Sequence, residues 1–176
     1  MWGKLFCLSF LLFGNAVFAN NIQLTNDHWL FDINPLNLEV IATNKQNKSS
    51  IKIADGIKGT EVTQLQSNHY HASWYFPTSD LHIQVETDKK GLVFHFSTQK
   101  EQTLHWPVAG AVSEARALVI PAGEGLYIPN KSSFWLNEFK KHSKVALILP
   151  FLGVQYPEQY VSYLTPHNER MEYKIN

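Results

Sequence analysis

The chain is almost without cysteine: the only one, Cys7, lies within the first 19 residues. Those residues read as a removable leader. Lys4 supplies the positive start, Leu5–Phe13 the apolar stretch, and Val17-Phe18-Ala19 the small-residue cleavage site. Cys7 precedes the apolar stretch, on the wrong side for a lipid-bearing cysteine at a new N-terminus. A chain cut after Ala19 has no thiol, which excludes disulfides and thiolate chemistry, so its core must hold it together. No later apolar run reaches the roughly 18 residues of a membrane span, and none is expected. A surplus of one charge is missing too: 15 Lys and Arg stand against 15 Asp and Glu, and loss of Lys4 tips the balance slightly acidic. That overall balance gives no argument for nucleic acid or an anionic lipid as partner. Helical periodicity is scarce, with one short candidate at Ser132–His142 capped by Ser132 or Ser133. No serine or cysteine sits in an elbow motif and no glycine-rich loop opens a helix, so no cofactor is expected. Repeats and linkers are absent as well. Residues 20–176 are therefore read as a single domain.

What is abundant is alternation with a period of two, the signature of strands. Asn20–Thr25 reads as a polar lead-in and Trp29-Leu30-Phe31 as the first buried anchor. Asn37–Thr43 places Leu38, Val40 and Ala42 on one face, and Ser50–Ala54 does the same with Ile51 and Ile53. A weaker strand is expected at Glu61–Gln66. His69–Phe76 puts Tyr70, Ala72, Trp74 and Phe76 on one side and His69, His71, Ser73 and Tyr75 on the other. Leu81–Glu86 and Leu92–Ser97 flank the plainest hairpin turn, Asp88-Lys89-Lys90-Gly91. Lys144–Val154 is the most apolar strand and is expected to be central. The core should include Val40, Ile53, Trp74, Ile83, Phe94, Trp106, Val119, Leu147 and Leu149. Short strands joined by polar turns predict an all-β fold, an antiparallel β-sandwich. Met171–Ile175 reads as a strand with nothing after it, as in a domain truncated at its C-terminus.

The stretch Leu104–Trp135 organises the chain. Its apolar runs, Ala115–Ile120 and Leu126–Ile128, end in Pro121 and Pro129, which mark strand ends because proline donates no ladder hydrogen bond. Between them the turn Gly123-Glu124-Gly125 holds a carboxylate near Tyr127 and Trp135. It suits either a tight hairpin, with Glu124 capping local N–H groups, or a polar ligand contact. Trp106, Tyr127, Trp135 and Trp74 offer aromatic faces to the C–H groups of a sugar, although most such rings are core. Glu114 and Glu124 are the only acids in this motif, and nothing in their spacing shows that they converge as a glycosidase pair must. His69, His71 and His82 can share a sheet face, yet no acid or cysteine completes a zinc set, and no metal is expected. Arg116 near Glu114 suits a cross-turn ion pair.

In the order of its elements this stretch resembles the β-supersandwich domain that precedes the catalytic barrel in glycoside hydrolases related to the endo-α-N-acetylgalactosaminidases. His105-Trp106-Pro107-Val108 comes first, then Val119-Ile120-Pro121, Gly123-Glu124-Gly125, Leu126-Tyr127-Ile128-Pro129 and Phe134-Trp135, and last Leu147–Gly153. The resemblance implies a sandwich whose catalytic carboxylates would lie on a barrel that this sequence does not contain. No catalytic residue carries over.

The leading expectation is thus a secreted or periplasmic, glycoside-hydrolase-related β-sandwich, inactive by itself and able to contact a separate catalytic domain. A free-standing carbohydrate-binding module using Glu124, Tyr127, Trp135 and Trp106 is the second. A structural or protein-interaction domain of the cell envelope is the third.

Overall fold

The computed structural model describes residues 20–107, 109–110, 114–120, 125–142 and 151–165. The protein is all-β, and its described residues form three antiparallel sheets, each of four strands. Sheet I runs β1 (Ile22–Thr25), β2 (Trp29–Ile33), β3 (Val40–Asn44) and β4 (Ser50–Ala54) in chain order. Sheet II is built the same way from β5 (Thr63–Ser67), β6 (His71–Phe76), β7 (Leu81–Thr87) and β8 (Leu92–Thr98). Sheet III combines β9 (Ala117–Ile120), β10 (Leu126–Pro129), β11 (Phe151–Gln155) and β12 (Tyr160–Leu164) in the order β10-β9-β11-β12. Of the strand expected at Lys144–Val154, the described part begins at Phe151 and forms the inner strand β11, and residues 144–150 lie outside the described residues. One helix, α1 (Ser133–His142), follows β10, and the Ser132 hydroxyl accepts the Trp135 N–H at 3.4 Å, as an N-cap does.

Asparagine and aspartate close the turns. Asn26 Oδ1 accepts the N–H groups of His28 and Trp29, Asn44 those of Gln46 and Asn47, Asn68 those of Tyr70 and His71, and Asp88 those of Lys90 and Gly91. Each side chain thus replaces the backbone partner that a reversing chain lacks.

Sheet I has one apolar face, and two cores share it. Alternation puts Phe31 beside Ile33 and Val40 beside Ala42 on the same side. Ile33 and Val40, with Ile22 and Leu24, join Ala72, Trp74, Phe76, Leu81, Ile83 and Val85 of sheet II. Phe31, Ala42 and Ile51 instead join Leu118, Ile120, Ile128 and Val154 of sheet III. Ile53 and Leu92 pack against both clusters. Each fully buried aliphatic or aromatic side chain of this kind contributes about 1.5–3 kcal/mol.

Several expectations need correction. Asn20–Thr25 is no lead-in: Ile22 and Leu24 are buried and β1 pairs in register with β2. The short, amide-rich context hid a strand with only two apolar residues. The inward pair of β9 is Leu118 and Ile120, with Val119 half-buried on the opposite face. At β4 a register shift beside Val40 and Ile41 brings Ala54, not Ile53, opposite Val40. Tyr70 and His69 precede β6 in a turn, and Tyr70 is exposed. Val40, Trp74 and Ile83 are buried as expected, while Phe94 and Trp106 are half-buried against the first core. Leu147, Leu149 and Met171–Ile175 lie outside the described residues.

Candidate functional site

The outer face of sheet III carries the most distinctive surface. Leu118, Ile120, Ile128 and Val154 point into the second core, so Val119 and its register partners point out. One row across the sheet reads Tyr127, Val119, Gly153 and Ser162, and the next reads Pro129, Ala117, Gln155 and Tyr160. Tyr127 stands on one edge strand and Tyr160 on the other. The Tyr127 hydroxyl donates to Gln155 Oε1 at 2.9 Å. The Tyr160 hydroxyl lies where a Cβ on residue 153 would sit, and that Cβ would also stand 3.1 Å from the Val119 Cβ. Only glycine lets the ring lie down there. Both tyrosines lean inward from opposite edges and set their hydroxyls on β11, while the side chains stay 56% and 52% exposed. Among the described residues the Tyr160 hydroxyl has no hydrogen-bond partner. Gly125, at φ 103°, turns the chain into β10 in a conformation that favours glycine.

The structure separates the other residues singled out in the sequence. Glu124 and Gly123 lie outside the described residues. Trp135 sits on α1 and meets Phe134 edge-on at 5.3 Å between centroids, with no ring contact to Tyr127 among the described residues. Trp106 packs against Phe94 at 4.5 Å and Phe96 at 5.3 Å, and its indole N–H donates to the Leu38 carbonyl at 3.0 Å. That ring belongs to the first core. Tyr160 went unnoticed in the sequence, although Tyr160-Val161-Ser162-Tyr163-Leu164 alternates cleanly and Gly153 interrupts a bulky strand.

The outer face of sheet II holds His71, His82 and His95, but they do not converge. His69 is off the strand, its carbonyl accepting the Thr25 N–H. His82 stacks on Tyr75 at 4.3 Å, and Tyr75 donates to Asp80 at 2.9 Å, which raises the tyrosine pKa above its ordinary value. His95 lies 3.7 Å from Glu86. No three metal-ligating side chains gather among the described residues.

A cleft of about 360 Å³ is lined by Ser50, Ile51, Lys52, Asp55 and Glu114. Lys52 reaches Glu39 at 2.9 Å and Asp55 at 3.4 Å, and these carboxylates raise its pKa. Asp55 is therefore engaged by a cation rather than free to pair with Glu114. Arg116 makes no ion pair with Glu114 among the described residues. Its backbone N–H instead donates to the Gln155 carbonyl at 2.7 Å. Below the cleft, Tyr156 donates to the Gly110 carbonyl at 2.6 Å and Tyr163 to the Ile53 carbonyl at 2.6 Å.

No protein-family model matches the chain, and neither curated proteins nor solved structures yield a match. The likeness to the hydrolase supersandwich rests on the order of its motifs alone.

Proposed function

We propose that the chain is an exported carbohydrate-binding sandwich domain, related to the non-catalytic sandwich of glycoside hydrolases and without turnover by itself, and that sugar lies on the outer face of sheet III. The observation that carries this reading is the pair of exposed tyrosines, Tyr127 and Tyr160, resting on either side of β11. A pyranose turns C–H groups to an aromatic plane, and the Gln155 amide and Ser162 hydroxyl lie in the same rows to serve its hydroxyls. Rings already held against a sheet lose little freedom on binding. The leader-like segment with Lys4 and Val17-Phe18-Ala19 supports export.

The test is calorimetric titration of wild type and Tyr160→Ala with a panel of neutral and acidic glycans, beside an aryl-glycoside assay. A glycan that binds wild type about tenfold more tightly than the variant, the equivalent of roughly 1.4 kcal/mol, supports the site. Failure of every glycan overturns the reading, and aryl-glycoside hydrolysis overturns its non-catalytic part.

A further inference from the structure

We propose that the tyrosine face binds an internal run of a linear, neutral, equatorially linked glycan, laid across β11 from Tyr160 to Tyr127, and not a single sugar or a chain end. The proposal rests on the sugar-binding reading of that face and names what the sugar must be. Tyr127 and Tyr160 sit on the two outermost described strands of sheet III, three strand spacings apart, about 14 Å between backbones. Each ring leans inward until its hydroxyl reaches β11, and the two do so in opposite senses. Tyr127 starts in the row of Gly153 and ends on Gln155, whereas Tyr160 starts in the row of Gln155 and ends over Gly153. The rings therefore lie to either side of β11. A pyranose is a ring little wider than tyrosine's own, so no single one covers both. Two units of one chain do. Lying against the sheet, each tyrosine is about half accessible and shows one face. Neither ring stands up as a wall to stop a chain end, so the glycan runs on past both edges. Axial linkages would coil it away from this plane, while equatorial linkages keep it a ribbon whose flat sides bring C–H groups to the rings.

Charge decides the rest. The described strands of sheet III hold no Asp, Glu, Lys, Arg or His. Sheet I carries Asp32 and Lys52 on its strands, and sheet II carries His71, His82, Glu86 and His95. Arg116, Lys131 and Glu158 lie beyond the strand ends, off the two tyrosine rows. A uronate unit would set a carboxylate over this face with no cation on it, losing hydration without a partner in return. Sugar hydroxyls meet the Ser162 hydroxyl, the Tyr160 hydroxyl and the Gln155 amide N–H groups, none of which has a partner among the described residues.

The experiment is calorimetric titration of the chain with two series, glucose to cellohexaose and mannose to mannohexaose. Maltohexaose, with axial linkages, and the mannuronate hexamer, which is mannohexaose with a carboxylate on each unit, are the controls. Affinity should rise about tenfold from monomer to hexamer in at least one series, as the oligomer becomes long enough to span both rings. In Tyr127→Ala, and separately in Tyr160→Ala, that gain should vanish. Both controls should bind no better than a monomer. Denaturant midpoints of the variants are checked, and a Tyr127→Ala protein with a shifted midpoint is replaced by Tyr127→Leu. A monomer that binds as tightly as its hexamer, or a gain that survives loss of either tyrosine, would overturn the proposal and leave the sugar site standing. So would either control binding as tightly as the neutral hexamers. If no member of the two series binds, the proposal falls; the sugar reading falls with it only when the wider glycan panel is silent too.

Discussion

Trp106 donates its indole N–H to the carbonyl of Leu38, 3.0 Å away and 68 residues earlier in the chain. Leu38 is fully buried and holds φ at 63°, a left-handed conformation that costs a leucine on the order of 1 kcal/mol. The bond joins the loop after β8 to the turn between β2 and β3, and the ring fills the space beside Phe94 and Phe96. Trp106→Ala is expected to lower stability by about 3 kcal/mol in urea unfolding. Trp106→Phe should cost less, because it keeps most of the packing while leaving the Leu38 carbonyl unpaired. Loss of sugar binding without loss of stability would instead place Trp106 on the ligand.

Trp74 presents the reverse situation. It is 2% exposed in the first core, and its Nε1 has no partner among the described residues. Trp74→Ala should cost about 3–5 kcal/mol through lost contacts and a cavity. Trp74→Phe removes the unpaired donor together with some volume, so its cost should fall well below that of alanine. Chemical denaturation of both variants measures the gap; equal costs would mean that the indole N–H is satisfied.

Alkali should unfold the domain early. Burial, aided by the negative charges of Glu114 and Asp55, pushes the Tyr156 hydroxyl up to about 12, and burial pushes Tyr163 higher still. Both are raised above the unfolded value near 10, so their contribution is complete below about pH 10 and is lost as pH climbs through the folded values. The expected loss is about 1.4 kcal/mol per pH unit above pH 10 for Tyr156 alone. Unfolding midpoints measured across that window should fall, and Tyr156→Phe should flatten the slope. A slope unchanged by that substitution would remove Tyr156 as its source.

Gly153→Ala tests the tyrosine surface without touching a tyrosine. The new methyl would take the place of the Tyr160 hydroxyl, the far end of an exposed side chain, so the ring should lift at small cost to the fold. Stability should fall by about 1 kcal/mol or less, while any glycan affinity falls as it does for Tyr160→Ala. Tight binding by Gly153→Ala would show that the ring need not lie flat.

How much of this was legible beforehand depended on period. β6 and β7 carry strict alternation, and their buried residues Ala72, Trp74, Phe76, Leu81, Ile83 and Val85 follow it position by position. Ala117-Leu118-Val119-Ile120 is apolar throughout, so it says strand without saying which side is in. The register shift beside Val40 and Ile41 arises between strands, and neither strand records it. The candidate site was half legible. Tyr127 stood out because its turn and prolines frame it, whereas Tyr160 matters only once β12 is paired with β11 and Gly153 lies under its hydroxyl. A contact from an edge strand onto an inner one is invisible until the strand order is known.

The divided face of sheet I has one more consequence. Ile53 and Leu92 touch both clusters, and Phe31 and Ile33 hand the same strand to different partners. Among the described residues, no seam lets sheet II part from sheet III while either keeps its packing. Damage at Val154 or Ile128 should be felt by Trp74, and probes in the two cores should report one melting transition, because two hearts rest against the same side of one wall.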